Sequence, residues 1–365
     1  MIDDHAHPFF TEFAAFDLDG VSLQAGGVGQ ARRRSESPGR LFAELLSVRL
    51  ARFVGAEVAE LSPARDEAAR SDWAGWVRRL FDDADISAML LDEGVPAGSN
   101  DTLVHCAEVA GRPMLPLARV DPVVDRLIES GASARELVSA LEDFMAGAAA
   151  HGAVGFKTIL AYRTGLGVDP DVSMKAAEAS LGEEAVDTPL RRRAKPLRDL
   201  LTRRLLETAA DLGKPVQFHT GFGDSELRLA ESDPLLLEEL LRSSAGSATP
   251  VVLIHGSYPW HEAVAYLAAV RPNVYAEVSL ANLFAPLTTA ERLAKILELA
   301  PADKVLAGSD GHGAPETHWF ACKVLQDAFH ELADRLGAAG ARAGFVEATR
   351  SAFFEDNAAR LYGLG

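Results

Sequence analysis

At 365 residues, 48% of them hydrophobic, the chain can bury a large core, and its length suits either two average domains or one α/β barrel. A formal charge of −17, from 53 acidic against 36 basic residues, disfavours nucleic acid as a partner, because phosphate contacts need a basic face. Only Cys106 and Cys322 are available for disulfides, no apolar run reaches the roughly 18–20 residues of a membrane span, and no basic and apolar leader opens the chain, so a cytoplasmic, non-membrane protein is expected.

Apolar runs of strand length alternate with longer helical stretches, the pattern of repeated β-α units. The predicted strands are 2–5, 88–91, 115–120, 154–157, 216–219, 251–255, 274–278 and 305–309. Helices are predicted at 134–150, 197–212, 235–241, 260–270, 290–299 and 318–336. Eight parallel strands with crossover helices predict a (β/α)8 TIM barrel spanning 1–365 as a single unit. No GxGxxG turn follows the first strand, which weighs against a dinucleotide-binding sheet. Two insertions interrupt the repeat, 8–85 after the first strand and 161–196 after the fourth. The first is expected to hold two helices and a loop near Gly26–Arg34. Both leave from the C-terminal ends of strands, where barrel active sites form, and are expected to cap the mouth and set substrate specificity.

The chain opens Met-Ile-Asp-Asp-His5-Ala-His7-Pro. On a strand, residues i and i+2 share a face, so both imidazoles converge, and two neutral imidazoles make half of a divalent-metal site. Lys157, His219, His255 and Asp310 each close or follow another predicted strand and would face the same mouth. A single strand-end histidine is more often a satisfied core residue; four together point to metal. Asp92, Glu93 and Glu277 are candidates to orient a ligand histidine, or else barrel-interior ion pairs. Tyr162 and Arg163 follow Lys157 and are candidate substrate-binding residues, Arg163 as a clamp on a carboxylate or phosphate, with a structural ion pair as the alternative. His312 and His318 lie beyond Asp310, and His318 is expected to face away on a helix. The basic run from Arg191 to Arg193, continuing through Lys195, Arg198, Arg203 and Arg204, reads as a solvated helix face or as a dock for an anionic handle such as coenzyme A.

The segments IDDHAHP (2–8), VGFKTILAYRTGL (154–166), KPVQFHTGFGD (214–224), VVLIHGSYPW (251–260) and KVLAGSDGHGAPE (304–316) together resemble the amidohydrolase superfamily, in its amidohydrolase-related (amidohydrolase 2) branch. The branch includes metal-dependent hydrolases, decarboxylases and some non-haem di-iron monooxygenases. The resemblance implies a TIM barrel with His5, His7, His219, His255 and Asp310 around a metal centre. In mononuclear members His255 would act as acid/base or polarise the substrate. In binuclear members Lys157, carboxylated by CO2, would bridge two ions. The leading expectation is a hydrolase holding one or two divalent metals per chain. A metal-activated water would attack a carbonyl-type carbon of a small molecule, with Asp310 as general base and His255 as a second catalytic residue. A metal-dependent decarboxylase is close to it. The alternative is a di-iron or iron–manganese monooxygenase acting on an apolar, CoA-linked substrate. Zinc suits the first reading and iron or manganese the last. A homodimer is the expected assembly.

Overall fold

The computed structural model describes residues 1–18, 21–23, 40–94, 100–182 and 189–364. Eight parallel strands pair in sequential order: β1 (Ile2–Ala6), β2 (Ala88–Asp92), β3 (Met114–Arg119), β4 (Gly155–Thr158), β5 (Val216–Phe218), β6 (Val251–Leu253), β7 (Val274–Val278) and β8 (Val305–Ala307). The two edges meet just beyond the last ladder bonds. Asp310 N–H donates to the His5 carbonyl and His7 N–H to the Gly311 carbonyl, each at 2.8 Å. With helices between the strands, this is the expected TIM barrel.

The strands are buried on both faces, which is why they read as nearly continuous apolar runs. Their inner faces and the C-terminal helix form one apolar cluster of Ile2, Leu90, Leu117, Val252, Ile254 and Leu306, closed below by Ala358 and Tyr362. Their outer faces pack on the helices in a second, larger core. Helix Ala134–Ala150 shows how. It is started by a capping box between Ser133 and Glu136, and it buries Leu137, Leu141 and Met145 along one stripe.

Strands β5, β6 and β8 end one or two residues before their predicted ends. His219, His255 and Ser309 leave the ladder and turn into the mouth. The predicted helix at 235–241 divides into a 3-10 turn, Pro234–Leu237, and a short helix, Glu238–Arg242. The Asp233 carboxylate accepts Leu235 N–H and tightens that first turn.

Among the described residues the first insertion carries three α-helices, Leu41–Val54, Leu61–Arg70 and Trp73–Asp83, rather than the expected two. Asp72 restarts the chain as an N-cap, accepting Gly75 N–H at 2.8 Å only two residues after the preceding helix ends. The stretch near Gly26–Arg34 lies outside the described residues. The insertion is tied to the barrel by a buried ion pair, Arg65 Nε to Glu316 Oε1 at 2.6 Å, with Trp76 Nε1–H donating to the same oxygen at 2.8 Å. Among the described residues no helix is long and apolar enough to cross a membrane.

Candidate metal centre

Each candidate side chain sits where a strand gives way to a turn at the C-terminal rim. His5 lies on β1, where the pairing with β2 is irregular between Asp3 and Ala6, and His7 follows the strand. Lys157 lies on β4, opposite Arg119 of β3 and Gln217 of β5. His255 and Asp310 have φ of 69° and 52°, in the left-handed region that side chains rarely adopt. Such a conformation costs on the order of 1–3 kcal/mol and persists only where the surroundings over-determine it. Here they do. His255 N–H donates to Glu277 Oε2 at 2.9 Å, and Asp310 N–H to the His5 carbonyl. Both turns bring the side chains together in the mouth.

Asp310 Oδ1 lies 3.4 Å from His5 Nε2 and 3.4 Å from His7 Nε2. His219 Nδ1 and His255 Nε2 are 3.0 Å apart, and Lys157 Nζ is 3.4 Å from His5 Nε2. Two groups of donor atoms are each close enough to share one ion: His5, His255 and Asp310, and His5, His7 and Asp92. Two ligands held at about 2.0–2.1 Å by one tetrahedral ion stand about 3.4 Å apart, so these separations suit a common cation.

The hydrogen bonds behind the rings decide which nitrogen faces inward. His7 Nδ1 contacts the Asp92 carbonyl at 2.8 Å, and His219 Nε2 contacts the Phe222 carbonyl at 3.2 Å. A carbonyl only accepts, so those nitrogens carry the protons. Ser279 Oγ–H donates to Glu277 Oε2 at 2.8 Å, which leaves Ser279 Oγ to accept from His255 Nδ1–H at 2.7 Å. The inward atoms are therefore lone pairs. His7 Nε2 faces the carboxylate of Asp310, and His219 Nδ1 faces His255 Nε2. Asp310 Oδ1 is buried without a hydrogen-bond donor. Acceptors aimed at acceptors in a buried site repel, and a cation among them turns repulsion into ligation. The donor set, imidazole nitrogens plus one carboxylate, with the outer nitrogens of His7, His219 and His255 anchored and His5 Nδ1 buried without a partner, fits a divalent metal.

Burial also keeps the rings neutral. Burial pushes His5 down to about 4, helped by the neighbouring Lys157, and holds His219 and His255 well below their ordinary value, so all three are neutral near pH 7. Burial opposes a charge on Asp310, but His255 and the contacts from His5 and His7 outweigh it and keep the carboxyl well below the usual range. Burial lowers Lys157 to about 8, against the pull of Asp92. Lys157 makes no ion pair with Asp310 or any other acid among the described residues.

Other sequence candidates fall at different distances from this cluster. Tyr162 packs edge-on against His219, ring centroids 4.8 Å apart, and its hydroxyl accepts Asp224 N–H at 3.1 Å. Arg163 is turned away, with its Nε and Nη2 both 2.9 Å from Asp125 Oδ2. Asp92 is buried and paired with Arg119, and its backbone carbonyl anchors His7. The helix after Asp310 begins at Pro315 with Ala314 at its cap position, so Asp310 is not an N-cap. His318 does not face away. It is fully buried and donates from Nε2 to the His7 carbonyl at 2.9 Å, because the close approach of Gly311 leaves room for its ring. The basic run is largely spent on neighbours: Arg191 on Glu226, Arg192 on Glu231, Lys195 on Asp199, Arg198 on Asp125, and Arg203 and Arg204 on Glu207. Ser279 escaped sequence reasoning. Its only signal is the i+2 spacing from Glu277 off the end of an apolar strand.

Comparison with known proteins places this geometry in a family. The profile of the amidohydrolase family (Amidohydro_2) matches residues 2–364. Protein fluG of Emericella nidulans is 28% identical over 371 residues, which is 91% of this chain but 42% of that protein, so the chain spans less than half the length of this relative. Among solved structures, a "putative metal-dependent hydrolase" from Lactobacillus casei superposes with a TM-score of 0.85 at 25% identity, covering 99% of this chain and 94% of the other. Glucuronate isomerase from Caulobacter crescentus shares the fold, with a TM-score of 0.67 at 18% identity over 100% of this chain and 91% of the other.

Proposed function

The chain belongs to the amidohydrolase family, and on that premise we propose that it is a metal-dependent hydrolase of small carbonyl-type substrates. His5, His7, His219, His255 and Asp310 would hold the cation. Lys157 would join them as a carboxylated, two-oxygen ligand when two ions are bound. The observation that carries this reading is the convergence of imidazole nitrogens and one carboxylate in a buried site, with the outer nitrogens of His7, His219 and His255 already anchored. The likeness to the Lactobacillus casei structure supports it. We also take 1–365 as one barrel unit with 8–85 and 161–196 over the mouth.

When bound, a divalent cation polarises a carbonyl and lowers the pKa of a coordinated water towards about 7. The protein does the rest. Asp310 is held ionised with an oxygen that has no donor, so it can accept the proton of the attacking water and return it to the leaving group. His255, neutral with Nε2 inward, ligates or stabilises charge developing on the substrate oxygen. Tyr162 walls the site beside His219. With a pKa of about 8, roughly a tenth of Lys157 is the free amine at pH 7. The amine lone pair adds to the carbon of CO2 and one N–H proton leaves to solvent, giving an anionic carbamate.

The test is elemental analysis of the purified chain, followed by assays on lactones, esters and amides with and without chelator. One or two zinc ions per chain and chelator-sensitive hydrolysis are expected. No uptake of any divalent cation by the folded protein would overturn the reading. Two irons with substrate-dependent dioxygen uptake would replace it by an oxygenase, and CO2 release by a decarboxylase.

A further inference from the structure

We propose that Glu277 and Ser279 are positioning residues that lock the ring tautomer of His255 and so aim its Nε2 lone pair at the cation. This rests on the metal reading above and names the device that prepares one ligand.

Among the imidazoles, His7 and His219 are anchored by main-chain carbonyls, which only accept. His255 is different. Its Nδ1 meets a serine hydroxyl, a group that can donate or accept. Ser279 alone would allow either tautomer. Glu277 removes the choice. Its Oε2 accepts the Ser279 O–H hydrogen bond, and with its one hydrogen so engaged the hydroxyl oxygen is left to receive Nδ1–H. The same Oε2 accepts His255 N–H at 2.9 Å, so one carboxyl oxygen holds the ring and also the left-handed backbone that carries it.

The fold makes room for this. Glu277, Ser279 and His255 are all buried. A Cβ at Gly308 would stand 2.1 Å from Glu277 Oε1, so only glycine there admits the carboxyl between β7 and β8. In the absence of metal, His219 Nδ1 and His255 Nε2 confront each other as acceptors. His219 has one outer bond of 3.2 Å, whereas His255 has a 2.7 Å bond backed by a 2.8 Å one. His255 is thus the more firmly held of the two rings, and in the metal-free protein it is expected to keep Nδ1–H while His219 is the ring that adjusts.

The experiment uses full-length protein labelled with nitrogen-15 histidine, stripped of metal at pH 8, with zinc affinity then measured by competition against a chelating dye. His255 is expected to carry its proton on Nδ1. Ser279→Ala should populate the other tautomer and weaken zinc binding about 10- to 100-fold, the usual effect of losing an outer partner. Ser279→Thr should restore both. Glu277→Gln, whose amide oxygen can still accept both hydrogens, should stay near wild type, and Glu277→Leu should not. A wild-type His255 protonated on Nε2 would overturn the inference. So would a folded Ser279→Ala variant with unchanged tautomer and unchanged zinc affinity. If the wild type takes up no metal while the tautomer behaves as described, the lock stands and the metal reading falls.

Discussion

Replacing Lys157 with methionine should make the metal-free protein more stable while weakening metal binding at the proposed centre. The lysine is buried, with no paired carboxylate among the described residues and its ammonium 3.4 Å from His5 Nε2. Burial lowers its pKa from 10.5 to about 8, which corresponds to about 3 kcal/mol against the charged form in the folded state. Methionine keeps most of the stem volume and carries no charge, so Lys157→Met should gain up to about 3 kcal/mol at pH 7. In a chain of this length that is about 3–4 °C of melting temperature. The pH dependence gives the sign. The folded pKa lies below the unfolded one, so between pH 8 and 10.5 the unfolded chain binds more protons and the wild type gains stability as pH rises. The variant lacks that gain, and the two should converge above the unfolded pKa. Urea unfolding of chelator-treated protein at pH 7, 9 and 10.5, with metal counted on untreated samples, measures both effects. A variant less stable than wild type at pH 7, or a difference that does not narrow with pH, refutes the cost assigned to the buried ammonium. Unchanged metal content and activity refute Lys157 as a ligand.

Four further outcomes are expected, one of them paired with a control. Chelation should lower the melting temperature and zinc should restore it, by about 1.4 kcal/mol for each tenfold excess over Kd; no shift on either treatment argues against a native-state metal site. Arg65→Met, which strands Glu316 in the core, should cost about 3–5 kcal/mol in urea unfolding, and the double change with Glu316→Leu should cost clearly less than the two single losses combined. Gly311→Ala would place a Cβ 2.3 Å from His318 Cγ, and Gly311 O holds His7 N–H, so stability should fall by roughly 1–3 kcal/mol together with metal affinity. Gly147→Ala, with open space around it on a helix, is the control and should be neutral or stabilising. Burial raises Asp4 to about 8, above its unfolded value, so wild-type stability should fall as pH climbs from about 4 to 8. In Asp4→Asn that fall should be smaller, as read from melting temperatures across the range.

The barrel was legible because parallel strands buried on both faces leave continuous apolar runs, and runs such as 251–255 and 305–309 differ from the amphipathic stripe of 134–150. Strand ends were harder to see. His255 looks like the last residue of its strand and Asp310 like the first residue after its own, yet both have positive φ, held by partners on β7 and β1. The third helix of the first insertion was missed because Asp72 caps a new helix almost at once, without the glycine or proline break that marks most boundaries. His318 was misplaced because helical periodicity does not record a backbone 311 residues away in sequence that comes to meet its ring.

By itself, the sequence determined the layered class of the fold, the order of its strands and the set of candidate ligand side chains gathered at one rim. Those follow from local periodicity and from residue chemistry, which each segment carries alone. Only the tertiary structure decided how those side chains act. Which nitrogen of His7 and of His255 points inward depends on the Asp92 carbonyl at the end of β2, or on Glu277 acting through Ser279. Whether Arg163 faces a substrate or Asp125, and whether Lys157 is paired or isolated, also depends on contacts between distant segments. A proton on a ring nitrogen is set by the partner it meets, and for His7 and His255 that partner comes from the end of another strand and is in place only once the barrel has closed.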